Sequence, residues 1–141
     1  MSDIRVGTEL PSLELAAITR STLALFAGAS GDHNPVHIDS DVAKQAGMPD
    51  VFAQGMLSMA YLGRMLTNWQ PQAKLRRFSN RFAAITHLQD VITCSGKVVE
   101  LLEQNGETLA RCEIQAVKAS GEPTLIGEAL VAIVRGRYDE F

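Results

Sequence analysis

The sequence predicts an α+β domain in which a late antiparallel sheet wraps a long, earlier helix. Three observations carry that prediction. Residues 55–69 hold Met56, Leu57, Met59, Leu62, Met65, Leu66 and Trp69 at helical spacing. From Leu75 onward the period falls to two, most clearly where Ala110, Cys112, Ile114 and Ala116 alternate with Arg111, Glu113 and Gln115. The chain has 141 residues, 46% hydrophobic and 21% charged, which fills one core and leaves no room for a second, so residues 1–141 read as a single domain.

Taken in order, Gly7 and Pro11 punctuate a polar lead-in, and Leu13, Leu15 and Ala17 alternate as a first strand would. Thr19 can cap a short helix through Leu23, Phe26 and Ala27, which Gly28, Ser30 and Gly31 should break. Residues 30–39 are rich in turn formers, and Pro35 disfavours a helical Asn34, so this stretch reads as an ordered loop. Ser40 or Asp41 can cap a brief helix through Val42, Ala43 and Ala46 that stops at Gly47 and Pro49. The helix from Gly55 is apolar on nearly every face, which predicts that protein surrounds it; it is too short and too dotted with polar residues to span a bilayer. Ile92, Cys94 and Val98 then alternate with Thr93, Ser95 and Lys97, Asn105-Gly106 and Ser120-Gly121 mark hairpins, and residues 125–134 are apolar apart from Gly127 and Glu128.

A formal charge of −3 with both signs scattered offers no basic stripe to a nucleic acid. Asp3, Arg5, Glu9, Glu14 and Arg20 interrupt any early apolar run that could serve as a signal peptide or span, so a cytoplasmic protein without a membrane partner is expected. Cys94 and Cys112 are too few for a disulfide or zinc framework and read as small buried hydrophobes.

The chemistry concentrates in the loop. Asp32 and His37 stand five residues apart in a stretch held by Gly31, Asn34 and Pro35, and a tight turn can aim both at one volume. A carboxylate can hold and activate water, and an imidazole can exchange protons near neutrality. Gly55 opens the long helix without a side chain, so a developing oxyanion can approach its backbone N–H, aided by the positive end of the helix dipole. Singly, each residue has a commoner explanation. Asp32 can close an Asx-turn, His37 can be a buried hydrogen-bonded histidine, and glycine is ordinary at a helix start. Their combination within 25 residues, backed by an apolar helix, is what points to a site.

The run Phe26-Ala27-Gly28-Ala29-Ser30-Gly31-Asp32-His33-Asn34-Pro35-Val36-His37 resembles the signature of MaoC-like dehydratases and (R)-specific enoyl-CoA hydratases, and Ala53-Gln54-Gly55-Met56-Leu57 resembles the start of that family's central helix. The resemblance implies a hot-dog fold, an acyl-CoA or acyl carrier protein thioester as substrate, and reversible syn addition of water to a trans-2-enoyl thioester. It implies that Asp32 and His37 are the catalytic dyad and Gly55 the oxyanion donor, with no metal or redox cofactor. It also implies at least two chains, as a homodimer or as the dyad-bearing partner of a related hot-dog chain. The sequence differs from the family pattern at Gln54, where relatives commonly carry histidine, and at Ile85-Thr86-His87-Leu88-Gln89-Asp90, which replaces a Pro-x-x-Pro-Gly-Asp turn.

Two rivals share the fold: a thioesterase that attacks the carbonyl carbon, and an acyl-binding subunit without turnover. A metal held by His33, His37, Asp39 and His87 is disfavoured because Asn34-Pro35 breaks the helix that would align the two loop histidines, and His33 and Asp39 are expected in solvent. Arg76, Arg77 and Arg81 are candidates for the phosphates of coenzyme A, against the commoner role of a solvated strand end. Met56, Met59 and Met65 are candidates for an acyl tunnel, against ordinary core.

Overall fold

A computed structural model of the protein describes residues 3–134; residues 1–2 and 135–141 of the expected domain lie outside the described residues. Strand β1 (Leu13–Glu14) leads into helix α1 (Arg20–Ser30), a 3-10 turn at Pro35–His37, the short helix α2 (Ser40–Gln45) and the long helix α3 (Gly55–Trp69). Four strands follow: β2 (Leu75–Phe82), β3 (Ile92–Gln104), β4 (Glu107–Lys118) and β5 (Pro123–Ile133). They form one antiparallel sheet in the order β1-β3-β4-β5-β2. This is the sheet over a long helix that the residues predict, in the hot-dog arrangement that the resemblance implies.

The hairpin signals act as their chemistry requires. Asn105 and Gly106 both have positive φ, 53° and 78°, the pair a tight β3–β4 turn needs. Register shifts at Val98/Glu100, Leu75/Arg77 and Ala116/Val117 bend three strands and curl the sheet around α3. The alternating set buries as expected: Ile92, Cys94, Val98, Ala110, Cys112, Ile114 and Ala116 pack against Leu62, Met65 and Leu66 of α3. Burying each large aliphatic side chain contributes roughly 1.5–3 kcal/mol, and Leu62→Ala would forfeit about 2–5 kcal/mol with its cavity included. A second cluster, Ile18, Leu23, Ala43, Val51, Ala53 and Leu57, lies under α1 and α2 and seats the first turn of α3.

Three local expectations are corrected. Helix α1 runs through Gly28 and ends at Gly31, whose φ of 77° makes it the left-handed cap donating to the Ala27 carbonyl. A mid-helix glycine costs only about 1 kcal/mol, which the burial of Leu23 and Ala27 offsets. Helix α2 is capped by Asp39, which accepts from the Asp41 N–H, in place of Ser40 or Asp41. Helix α3 is covered on one side only: Met56, Ala60, Arg64 and Thr67 form an exposed stripe at helical spacing, because the sheet closes over the opposite face.

Both cysteines are buried and free, and burial pushes the Cys94 thiol up to about 12 and Cys112 up to about 11. Because thiolates are the reactive form, neither is expected to titrate with a disulfide reagent at pH 8 in native protein, while both should react within mixing time in denaturant. Fast labelling of one thiol in native protein would show that this core opens.

Candidate active site

The segment from Asp50 to Gln54 organises the site, because four contacts from three parts of the chain pin it. Arg20, at the start of α1, makes a bidentate pair with Asp50 and holds its carboxyl down at about 2. The His37 Nδ1 lies 2.7 Å from the Phe52 carbonyl oxygen. The Ala53 N–H donates to the Thr86 carbonyl at 2.8 Å, and the Gln54 Nε2 donates to the Leu23 carbonyl at 3.0 Å. Gln54 is fully buried, and among the described residues its Oε1 has no hydrogen-bond partner.

Asp32 and His37 are brought together. Asp32 follows the Gly31 cap, and its Oδ1 accepts from the Asn34 N–H at 3.3 Å, which is the Asx contact that composition favours. The Asn34 side chain accepts from the Val36 N–H, and Pro35 opens the turn that presents His37. The His37 residue is 8% exposed, and its ring packs edge-on against Phe52 with centroids 4.9 Å apart. A carbonyl oxygen can only accept, so Nδ1 carries the proton and Nε2 of the neutral ring is left with its lone pair. That Nε2 lies 3.9 Å from the Asp32 Oδ2, too far for a direct hydrogen bond and close enough for one water to touch both. The Asp32 side chain is 42% exposed, so water reaches the pair.

Gly55 begins α3 three residues after Phe52, so the contact that orients His37 also fixes the approach to the helix start. Gln54 occupies the cap position but makes no side-chain cap, its amide being engaged with Leu23. A Cβ at Gly55 would come within 2.8 Å of the Phe82 Cε1, so any side chain here requires the exposed Phe82 ring to shift. A cavity of about 340 Å³ opens beside it, lined by Gly55, Ser58, Phe82, Ile85, Thr86 and Leu125 among others. Neither Asp32 nor His37 lines that cavity. A larger hollow of about 700 Å³, beside Lys97, Arg111, Glu113 and Glu128, holds none of the candidate catalytic residues.

The remaining candidates separate. His33 and Asp39 are exposed, and the Asp39 carboxylate caps α2. Arg76 is engaged bidentately by Glu107, and the exposed Arg77 faces Glu128 at 3.9 Å. Met65 is core, Met59 is half-buried and Met56 is exposed. Phe52, Ser58, Phe82 and Thr86 carry no motif in the sequence. Phe52 holds His37 through a backbone oxygen that any residue would supply and through its own ring, and the other three meet only after folding.

The departure at residues 85–90 forms a tight turn in which Gln89 has φ 70° and the Asp90 carboxylate accepts from the His87 N–H. Position 89 is where the resembling pattern has glycine. A non-glycine residue in this region costs about 1–2 kcal/mol, so Gln89→Gly is expected to raise the melting temperature by a few degrees. A lower melting temperature would show that the Gln89 side chain stabilises the turn.

The hot-dog sheet and its long helix are joined by a loop in which a histidine and an aspartate face one water-sized gap. The chain belongs to the MaoC-like domain family, whose model matches residues 5–120. It is 30% identical over 134 residues to an (R)-specific enoyl-CoA hydratase of Rhodospirillum rubrum, covering 93% of this chain and 89% of that one. It is 26% identical over 98 residues to a mitochondrial 3-hydroxyacyl-[acyl-carrier-protein] dehydratase of Solanum lycopersicum, covering 70% of this chain. The chain spans 59% of that relative's length and 5% of another relative's, the fatty acid synthase subunit beta of Saccharomyces cerevisiae. Among solved structures, the (R)-hydratase from A. caviae involved in PHA biosynthesis superposes with a TM-score of 0.81 at 22% identity, covering 93% of this chain and 98% of that one, a likeness of fold.

Proposed function

We propose that the chain is a hydro-lyase that adds water reversibly, and syn, to a trans-2-enoyl thioester of coenzyme A or acyl carrier protein, giving the (R)-3-hydroxyacyl thioester. The observation that carries this reading is the 2.7 Å contact of the His37 Nδ1 with the Phe52 carbonyl oxygen, which favours a proton on Nδ1 and turns Nε2 toward Asp32. In the proposed reaction Asp32 and His37 hold one water between them, and its oxygen attacks C3 as the dyad takes a proton. Charge moves onto the thioester oxygen, which the uncapped N–H of Gly55 stabilises. The proton then passes from the dyad to C2 on the same face, so that one H and one OH are added. Proton transfer of this kind is worth typically about 10²–10⁴-fold, and one oxyanion donor about 10²–10³-fold.

The reading extends to the whole of residues 1–141 as one domain, acting in the cytoplasm. It extends also to a second chain, identical or related, over the exposed side of α3, where Met56, Phe82 and Ile85 leave apolar surface uncovered. What bears on location is that, among the described residues, no helix is long and apolar enough to cross a membrane.

The test is to mix purified protein with crotonyl-CoA and longer trans-2-enoyl-CoAs, follow loss of the enoyl absorbance, and assay the product with an (R)-specific 3-hydroxyacyl dehydrogenase. Asp32-dependent loss giving (R) product is the expected result. Free thiol released from a saturated acyl-CoA would establish the thioesterase instead, and tight acyl-CoA binding with neither reaction would establish the non-catalytic subunit.

A further inference from the structure

The cavity beside Gly55 has a polar wall that the proposed reaction leaves unused. Ser58 lies three residues after Gly55, and both line the same cavity. Thr86 lies beside Ser58 on the same wall, with the two hydroxyl oxygens 3.4 Å apart, beyond the usual 2.5–3.0 Å of a hydroxyl pair. These residues are only 3% and 5% exposed. Two hydroxyls carry two protons, and their mutual contact uses one at most. Among the described residues neither has another hydrogen-bond partner, so one O–H stays buried and unspent. Thr124, the third hydroxyl of the wall, already donates to the Ala116 carbonyl.

The rest of the wall is apolar, and the floor is core, since Thr124 and Leu125 are each 1% exposed. A cavity that ends in the core suits the terminus of a ligand. The coenzyme arm of a thioester has to run out to solvent, which leaves the acyl arm.

We propose that the cavity takes the acyl arm and that the Ser58–Thr86 pair donates a hydrogen bond to an oxygen on it, so that acyl groups bearing an ether or hydroxyl oxygen are preferred to hydrocarbon groups of the same shape. This rests on the reading of the chain as an enoyl-thioester hydratase with its thioester oxygen at Gly55. The unspent O–H rewards an acceptor, whereas a hydrocarbon in the same place leaves it unpaired.

The experiment compares binding of unreactive saturated thioesters, 4-methoxybutanoyl-CoA and 5-hydroxypentanoyl-CoA against hexanoyl-CoA, by titration calorimetry. Each ligand is measured on the wild type, on Ser58→Ala, and on the double variant Ser58→Ala with Thr86→Val. The oxygen-bearing ligands are expected to bind the wild type roughly tenfold more tightly, with the order reversed in the double variant. The single variant reports if the double variant fails to fold; its expected result is a reduced preference. Equal affinities in the wild type, or a preference that survives the substitutions, would overturn the proposal. So would weakening of all three ligands alike, which would put the pair on the coenzyme arm. None of these measurements needs turnover, so failure of the hydration assay and failure of this proposal are distinguishable.

Discussion

Asp32→Asn is expected to fold like the wild type and to lose about 10²–10⁴-fold in kcat on crotonyl-CoA. Asparagine keeps an oxygen for the Asn34 N–H, so the Asx contact survives, while the negative charge facing His37 is removed. His37→Gln should lose activity to a similar extent but also some stability. It removes the ring that packs on Phe52 and the Nδ1–H that the Phe52 carbonyl accepts, a contact worth about 1 kcal/mol, or a few degrees in melting temperature. Steady-state kinetics with thermal melts on both variants separate the effects. Near-wild-type turnover in either would remove that residue from the mechanism.

The second large effect concerns a backbone atom. Gly55→Pro deletes the N–H at a helix position that tolerates proline, yet the new Cβ would also press on the Phe82 ring. Proline alone therefore confuses a lost donor with a steric push. Gly55→Ala adds the same Cβ and keeps the N–H, and Phe82, 54% exposed, has room to swing aside in both. The alanine variant is expected to retain most activity, and the proline variant to fall a further 10²–10³-fold, roughly the worth of one oxyanion donor. Equal turnover of the two on a full-length enoyl-CoA would show that the donor lies elsewhere.

What the sequence made legible was whatever a short stretch of chain decides for itself. Thr19 and Gly31 bound α1, Gly55 and Trp69 bound α3, and Asn105-Gly106 turns between β3 and β4, each through its own backbone preference or local period. The burial of alternate residues in β3 and β4 follows in the same way. The errors came where a local rule met a stronger neighbour. Gly28 fails to stop α1 because its helix neighbours are buried, and α3 keeps an exposed stripe because a single sheet covers only one side. Least legible were contacts between distant parts of the chain. His37 with Phe52, Gln54 with Leu23 and Ser58 with Thr86 join residues 15, 31 and 28 apart, and in the first two the acceptor is a backbone oxygen that leaves no trace in residue type.

The strand order has a bearing on how the chain is made. Leu62, Met65 and Leu66 are buried against strands that end at Ile133, so on the ribosome the long helix emerges well before the surface that shields it. At about 5–20 residues per second the interval is on the order of several seconds. During that time the nascent chain displays an apolar ridge that β3, β4 and β5 have yet to cover, and it is then that a chaperone would be most needed.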